Sequence, residues 1–453
     1  MRHTSPKAES LFCPNGVRSE MKKSQWLFLL ASVLLFLFSF WKSAFYLLSP
    51  SKIDLCDLAA YSSISLALFE GNNPFPDHPE FLFYVFHWGE SVPIVYPGQM
   101  LFFFLPGYLW GAAVQIVFLV LNLLIIYYLT GLTLVKACGF QWRDFWTPGR
   151  KQFFYMLCVF LFLYSRSTRI ALMIGQIPII LAFCIFFMFW GPTSRILRIF
   201  LFAFIALAKY SLLPVFAPLL FFKGHWKLCI AAFCVFIFFS ITPVFCGNNL
   251  VEVYSEYFHT IQIIFQPGNI NHYAIAPYDM CHLGFFKIPI INHLLKAVTV
   301  CVILWLFWRE RKTKDISDTL LLLGACLTML ISYHRHYDLV IVYPLLFIRL
   351  FAFARNKQWV LFCITALFPV FLCLPLSISF VVIPSWLGGI PGLGNVIYLY
   401  DNIWNTGYLH VVPTMALFTI ALTLWSLYLY LHVKEPYRFE IPAPRKPETD
   451  SKE

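Results

Sequence analysis

Charged residues interrupt apolar sequence at several separate places along the chain, and their types suit one kind of chemistry. Ionisable groups inside apolar segments are costly, so they face a partner or a cavity and are the first candidates for function. The cations fit an anionic ligand, and the carboxylates fit a proton acceptor placed beside it. The residues concerned are Asp54, Asp57, Arg166, Arg169, Lys209, His334, Arg335, His336 and Asp338.

Each of these residues also has a structural explanation, which the sequence leaves open. Aspartates are favoured helix caps, long arginine side chains reach lipid headgroups, and the two histidines fit an ordinary interfacial position. Asp338 fits a simple ion pair with Arg335. Lys209 is the hardest to explain in structural terms, because it interrupts a short apolar hairpin. The convergence of these residues carries more weight than any one of them.

The composition is that of a membrane protein with many spans. Of the 453 residues, 60% are hydrophobic and only 12% are charged, against about 25% charged in a soluble domain. The mean hydropathy is +0.73, so most of the surface faces something other than water. This excludes a soluble enzyme and a nucleic-acid-binding protein. The 13 cysteines show no spacing typical of a metal or redox site, and most lie in apolar runs where cysteine behaves as a small hydrophobe.

The apolar runs predict about twelve transmembrane helices in an all-α polytopic bundle, since a span needs about 20 apolar residues. The predicted spans are Trp26–Leu48, Ala112–Val135, Phe153–Tyr164, Ile170–Trp190, Ile196–Ala208, Tyr210–Phe222, Leu228–Cys246, Ile288–Trp308, Ile316–Tyr333, Leu339–Ala354, Trp359–Val382 and Pro413–Val433. With both termini cytoplasmic, 25 of the 33 lysines and arginines lie on the cytoplasmic side, in agreement with the positive-inside rule. We expect a cytoplasmic tail over residues 1–25, one transmembrane domain over 26–433 and a polar cytoplasmic tail over 434–453.

Three predicted external segments, residues 49–111, 247–287 and 383–412, are long enough to carry function. The first contains a predicted interfacial helix over residues 57–69, with Asp57 at its start and Gly71 after its end. Residues 100–109 are too short to span alone and predict an interfacial or re-entrant piece. On this topology the charged residues named above converge on the extracytoplasmic face.

Several short motifs follow one another along the chain. They are Asp57-Leu-Ala-Ala-Tyr61, Ala67-Leu-Phe-Glu-Gly71-Asn-Asn-Pro-Phe75, Val95-Tyr96-Pro97, Leu105-Pro106, Gly175-Gln176, Ala208-Lys209-Tyr210 and Ser332 to Asp338 followed by Pro344. In this order they resemble glycosyltransferase family 87, a family of the GT-C superfamily of membrane mannosyltransferases that use polyprenyl-phosphate sugars. The resemblance covers most of the chain between Trp26 and about Phe353.

The resemblance implies a GT-C-like bundle whose extracytoplasmic loops carry short interfacial helices. It implies transfer of a hexose, with mannose expected, from a polyprenyl-phosphate sugar to a hydroxyl of a glycolipid or glycan, with inversion. The acidic residue of the first external loop, matched here by Asp57, is the implied general base. A lipid phosphate leaving group gains negative charge during transfer, and cations stabilise that charge. We rank Arg335, Lys209 and Arg166 as its ligands, with Asp54, Tyr61, Gln176, His334 and Asp338 in supporting positions.

The partners expected are membrane lipid, the lipid-phosphate donor and the acceptor, with no cofactor, no metal site and no nucleic acid. The alternative is a polytopic transporter or lipid flippase; an internal repeat would favour it, and none is visible. A non-catalytic assembly subunit is a further alternative. The chain has no Asn-x-Ser/Thr sequon and no Lys-Asp-Glu-Leu ending. Both observations favour a bacterial inner membrane, with the site facing outward.

Overall fold

The structure is a computed structural model. The described residues are 18–48, 58, 71, 83–84, 91–92, 112–190, 194–264, 281, 289–313, 315–332, 334, 336–373, 382–383, 410–411, 414–433 and 437–439. Almost all of them are helical, as the apolar composition predicts, because a helix satisfies every backbone polar group within its own segment.

The helices follow one another with short connections. They are α1 Arg18–Leu48, α2 Ala112–Cys138, α3 Arg150–Tyr164, α4 Arg166–Ile174, α5 Pro178–Trp190, α6 Arg195–Ala208, α7 Leu213–Leu220, α8 Trp226–Ser240, α9 Leu250–Ile264, α10 Pro289–Glu310, α11 Asp318–Ile331, α12 Tyr343–Arg355, α13 Trp359–Cys373 and α14 Thr414–His432. Short 3₁₀ segments occupy Trp142–Phe145, Tyr210–Leu212, Thr242–Cys246 and His336–Val342.

Length and composition make five helical stretches of the described residues candidate membrane spans. These are Trp26–Phe45, Ile116–Cys138, Tyr210–Cys246, His336–Arg355 and Met415–His432. A sixth arises if α3 and α4, which meet at a 55° bend, count as one span, and α5, α11 and α13 are shorter apolar helices. The protein is therefore an all-helical membrane protein. The count of twelve spans stays a prediction.

Two glycines in the left-handed region lie at breaks between helices, one of them inside a single predicted span. Gly175, with φ 78°, ends α4, so the predicted single span Ile170–Trp190 is wrong: the chain breaks at residues 175–177 and starts again at Pro178. Gly224, with φ 86°, lies between α7 and α8. Tyr254 and Tyr257 lie one turn apart on α9. Tyr254 donates a hydrogen bond to the carbonyl of Ser240, and Tyr257 shares one with the phenol of Tyr210. A straight helix of 30 residues would hold those two points about 45 Å apart, so the chain folds back at Gly224.

The packing has a centre and an exposed rim. Every residue of α11 from Asp318 to Leu330 is buried, as expected of a helix that is apolar on all sides. α12 and α14 pack against it and share its core. In contrast, α1 presents large apolar side chains at its surface, among them Trp26 and Trp41, each exposed by more than 70%. In a membrane protein such a surface faces lipid.

Side-chain contacts define two opposite ends of the bundle. At the first, which we call the Lys209 end, Lys209 at the end of α6 meets Asp338 before α12. At the second, the Glu310 end, Lys223 after α7 meets Glu310 at the end of α10. Helices α6 and α11 run from the Glu310 end to the Lys209 end, and α7 and α12 run the other way.

Short strands add local connections. β1 Phe83–Tyr84 and β2 Ser91–Val92 form one antiparallel pair, and β4 Val382–Ile383 and β5 His410–Val411 form another. β3 Ile316–Ser317 pairs with β6 Arg438–Phe439. Phe439 is buried against Phe186 and Phe189, so this part of the predicted polar tail packs against the bundle instead of standing apart from it.

The structure describes only parts of the predicted external segments. The predicted external segment over residues 247–287 contains α9, a helix of 15 residues. The predicted interfacial helix over 57–69 lies outside the described residues except for Leu58, which is buried. The predicted interfacial or re-entrant piece over 100–109 also lies outside them.

Candidate active site

The turn that carries Lys209 is built by the end of α6. Lys209 has φ −152° and ψ 76°, which ends the helix. Its N–H donates to the Ile205 carbonyl at 2.9 Å, and its carbonyl accepts from Leu212 N–H at 3.0 Å. Ser332, just after α11, places its Oγ 3.0 Å from the Ser211 carbonyl. The backbone under Lys209 is thus fixed by the ends of two helices.

A buried ion pair joins this turn to the segment before α12. Lys209 Nζ lies 2.7 Å from both carboxylate oxygens of Asp338. Asp338 is fully buried, whereas the Lys209 side chain keeps 15% of its surface exposed. The ammonium also lies 5.4 Å from the centre of the Tyr337 ring. A buried carboxylate needs such a partner, because an isolated charge would cost several kcal/mol or more.

His334 completes the group on the other side of the carboxylate. Its Nδ1 is 2.9 Å from Asp338 Oδ2, and its side chain is fully buried. Burial lowers the pKa of His334 below its usual value of 6.5, with Lys209 acting in the same direction and Asp338 against it. The ring is therefore neutral near pH 7, and its Nδ1–H donates to the Asp338 carboxylate. Nε2 makes no hydrogen bond of normal geometry with the described residues, and the Ser211 carbonyl is an acceptor close to the ring that opposes the lowering of its pKa.

Arg166 and Gln176 come to the same end on α4 and the break after it. Ser165 caps α4 by accepting from Thr168 N–H at 3.1 Å, and Arg166 is the first helical residue. Arg166 is only 3% exposed. Its side chain therefore does not extend to lipid headgroups, which was the structural explanation for it, and it lies in a helix and not in a loop. A cation at a helix N-terminus opposes the helix dipole, so helix stability does not explain it. α4 and α5 both contact the segment His336–Val342.

Gln176 follows the left-handed Gly175 and is 2% exposed. Its backbone N–H donates to the Ala171 carbonyl at 2.8 Å. Its position at the break between α4 and α5 differs from the predicted one inside a continuous span.

Four predicted site residues lie outside the described residues: Asp54, Asp57, Tyr61 and Arg335. Their roles stay predictions. Of the remaining ones, the structure brings Lys209, His334 and Asp338 into direct contact and places Arg166 and Gln176 on elements at the same end.

The sequence also left some partners unidentified. Asp338 was considered as a partner of Arg335, and the structure pairs it with Lys209, 129 positions away in the chain. The spacing of four between His334 and Asp338, which suits one helical turn, was a usable signal for their contact. Tyr210 and Tyr257, whose phenol oxygens lie 3.3 Å apart beside this turn, carried no such signal.

Other sites are less well supported in the described part of the chain. It contains no group of three His, Cys, Asp or Glu side chains that could hold a metal ion. Two of its cavities are apolar surface grooves, one of about 450 Å³ on α10 and one of about 230 Å³ between α6 and α8. Neither groove is lined by a charged side chain, so neither is a site for chemistry by itself.

Lys223 and Glu310 form a closed network at the Glu310 end. Lys223 Nζ bonds the Glu310 carboxylate, the Glu310 carbonyl at 3.0 Å and the Thr313 hydroxyl. Tyr430 donates to the other carboxylate oxygen of Glu310. Nearby, Arg349 of α12 makes a two-pronged bond to Asp318 at the start of α11, and both are buried. The third guanidinium nitrogen of Arg349, Nη1, has no hydrogen-bond partner among the described residues.

Comparison with known proteins gives one match. Residues 95–332 match the model of glycosyltransferase family 87, which is just over half of the chain. The matched region contains Arg166, Gln176 and Lys209 and ends at Ser332, next to His334. Searches of curated proteins and of solved structures found no match.

Proposed function

The chain belongs to glycosyltransferase family 87 and is a membrane glycosyltransferase, and from this premise we propose its donor, its acceptor and its mechanism. The donor is a polyprenyl-phosphate hexose, with mannose expected, and the acceptor is a hydroxyl of a glycolipid or glycan. Transfer takes place at the Lys209 end, on the extracytoplasmic face of a bacterial inner membrane. The family match favours this activity over the transporter or flippase.

The observation that carries the proposal is the placement of Lys209. Its ammonium is fixed by the buried Asp338 carboxylate and is still partly exposed. A cation held in place before the substrate arrives needs no reorganisation when charge develops. Such an arrangement suits a phosphate that gains negative charge as its bond to the sugar breaks.

Charge counting shows why one lysine is not enough. Lys209 and Asp338 cancel, and His334 is neutral, so the described trio has no net charge. The donor is a phosphate diester with one negative charge, and the leaving lipid phosphate carries up to two. We therefore assign Arg335 and Arg166 as further phosphate ligands, because guanidinium groups bind phosphate oxygens in pairs.

The transfer step is a direct displacement. The acceptor oxygen attacks the anomeric carbon while the bond from that carbon to the phosphate oxygen breaks, and the electron pair leaves with the lipid phosphate. Asp57 takes the acceptor proton as general base; a carboxylate near its reference pKa of about 4 is ionised at neutral pH. One base and one displacement invert the anomeric configuration.

His334 has a role in orienting the substrate. Its acceptor nitrogen Nε2 can receive a hydrogen bond from a sugar hydroxyl, while Asp338 holds the ring in the required tautomer. Tyr61, one helical turn after Asp57 in the predicted interfacial helix, orients the base or the sugar. Gln176 and Asp54 are supporting residues near these groups.

The test is a transfer assay with purified protein in lipid nanodiscs. Radiolabelled polyprenyl-phosphate mannose is supplied with a panel of glycolipid acceptors, and labelled product is counted. We expect Asp57→Asn to remove transfer and the neighbouring Asp54→Asn to keep most of it. Transfer by Asp57→Asn at the wild-type rate contradicts the assignment of the base. Uptake or flipping of the lipid without transfer contradicts the function.

A further inference from the structure

We propose that Tyr257 of α9 is a positioning residue for Lys209, acting through the phenol of Tyr210. The inference rests on the proposed function, because it gives Tyr257 a part in binding the donor phosphate. It brings into the site a helix from a segment that the sequence predicts as an external loop.

The contact is made by two phenol groups of unequal burial. The hydroxyl oxygens of Tyr210 and Tyr257 lie 3.3 Å apart. Tyr257 is 2% exposed, whereas Tyr210 is 45% exposed. The buried ring has little freedom and fixes the exposed one. Since Tyr210 directly follows Lys209, the contact restrains the backbone that carries the ammonium group.

The other restraints on this turn come from a different part of the chain. Ser332 and Asp338, in the segment between α11 and α12, hold Ser211 and Lys209. Tyr257 of α9 holds Tyr210. The turn Lys209–Leu212 is thus held by two separate elements, and loss of either contact leaves the ammonium group less well placed.

α9 presents exposed apolar side chains that can contact lipid. Val251 and Phe258 are 78% and 58% exposed, and they continue the exposed apolar surface of the preceding turn, Val244 and Phe245. Exposed apolar side chains of this kind rest in the membrane interface. Lipid on its outer side therefore fixes the position of α9, and the contact between Tyr257 and Tyr210 couples α9 to the Lys209 turn.

The same helix supplies a matched control. Tyr254, one turn before Tyr257, donates its hydroxyl to the Ser240 carbonyl at 3.0 Å. This bond attaches α9 to α8 and does not involve the Lys209 turn. Tyr254→Phe and Tyr257→Phe each remove one phenol hydroxyl from one helix, and only the second breaks the contact with Tyr210.

The first arm of the test measures the turn without any substrate. Hydrogen–deuterium exchange is followed at the Leu212 amide, which donates to the Lys209 carbonyl. Each variant loses one side-chain hydrogen bond of α9. We expect exchange at Leu212 to rise about three- to tenfold in Tyr257→Phe and to stay unchanged in Tyr254→Phe. Equal exchange in the two variants overturns the inference, whether or not the protein transfers sugar.

The second arm separates positioning from general stability. In the transfer assay, Tyr257→Phe should lower kcat/KM for the lipid-phosphate donor about fivefold, because a less well placed ammonium group stabilises the phosphate charge less, with the acceptor KM within about twofold of wild type. Tyr254→Phe should leave both values unchanged. If both variants lower kcat/KM for the donor alike, or if neither lowers it, the inference is wrong. If wild type transfers nothing while exchange responds as expected, the proposed function fails and the positioning role stands.

Discussion

The two ends of the bundle contain similar groups arranged in different ways. Each has a lysine paired with a carboxylate and a third polar side chain. At the Glu310 end, the three protons of the buried Lys223 ammonium match three acceptors, and both oxygens of Glu310 are used. At the Lys209 end, the ammonium is partly exposed, and Nε2 of His334 makes no hydrogen bond of normal geometry within the described residues. A closed polar network holds helices together, whereas an open one has groups left for a substrate.

The largest expected effect concerns the buried pair of Asp318 and Arg349. Arg349→Leu leaves the Asp318 carboxylate buried without its guanidinium, so the free energy of unfolding should fall by about 3–5 kcal/mol. The measurement is denaturation in detergent micelles. The double variant Asp318→Leu/Arg349→Leu should recover most of the loss, and transfer per folded molecule should be unchanged. A loss below about 1 kcal/mol in the single variant would show that this ion pair does not stabilise the fold.

Replacing Lys209 and Lys223 one at a time tests whether the two ends of the bundle differ in function. Lys209→Ala should lower kcat/KM about 100-fold, equivalent to about 2.7 kcal/mol of lost transition-state stabilisation. Lys223→Met should lower stability and leave the turnover of the folded fraction near wild type. Both variants are assayed as folded protein after size-exclusion chromatography. A folded Lys223→Met protein as inactive as Lys209→Ala would remove the distinction between the ends.

A smaller effect is expected from the tyrosine that closes the Glu310 network. Tyr430→Phe removes the hydrogen bond to the Glu310 carboxylate and should cost about 1.5–3 kcal/mol at most, because the acceptor is charged. Tyr428→Phe on the same helix is the control, since Tyr428 is 44% exposed, and its unfolding should not change. Transfer activity should be the same in both. Loss of activity in Tyr430→Phe alone would give the Glu310 end a part in catalysis.

The smallest effect is a pH dependence from His334. Its pKa in the folded protein lies below the unfolded value of 6.5, so the unfolded state binds more protons as the pH falls. The stability that the neutral ring contributes is present above pH 6.5 and is lost as the pH falls below it. Between about pH 7.5 and about pH 5.5, wild type should therefore lose more stability than His334→Gln. Asp338 and Lys209 are the charged neighbours in both proteins. An identical loss would show that His334 does not titrate in this way.

The helices could largely be predicted from the sequence, because apolar length decides them. α2 and α10 begin within one residue of the predicted starts at Ala112 and Ile288. The break at Gly175 was missed because average hydropathy is insensitive to a single residue with positive φ. α4 was missed because Arg166-Ser-Thr-Arg169 has the composition of a link, and only the Ser165 cap marks it as a helix start.

The candidate site was predictable in its members and less so in its contacts. Lys209 is predicted from the sequence as a cation that interrupts a short apolar hairpin. Its partner Asp338 is 129 positions away, and no pattern in a single sequence joins two such residues. Tyr257 lies in a predicted external segment, and its contact with Tyr210 has no signal in the sequence. Tertiary packing decides these contacts.

The most direct test of the central claim is an electron cryo-microscopy structure with a non-transferable donor, a polyprenyl phosphonate mannose. The account predicts the phosphonate oxygens within about 3 Å of Lys209 Nζ, with the Asp57 carboxylate on the opposite side of the anomeric carbon. A phosphonate bound at the Glu310 end, or one more than about 6 Å from Lys209 with Asp57 in another cavity, would contradict it.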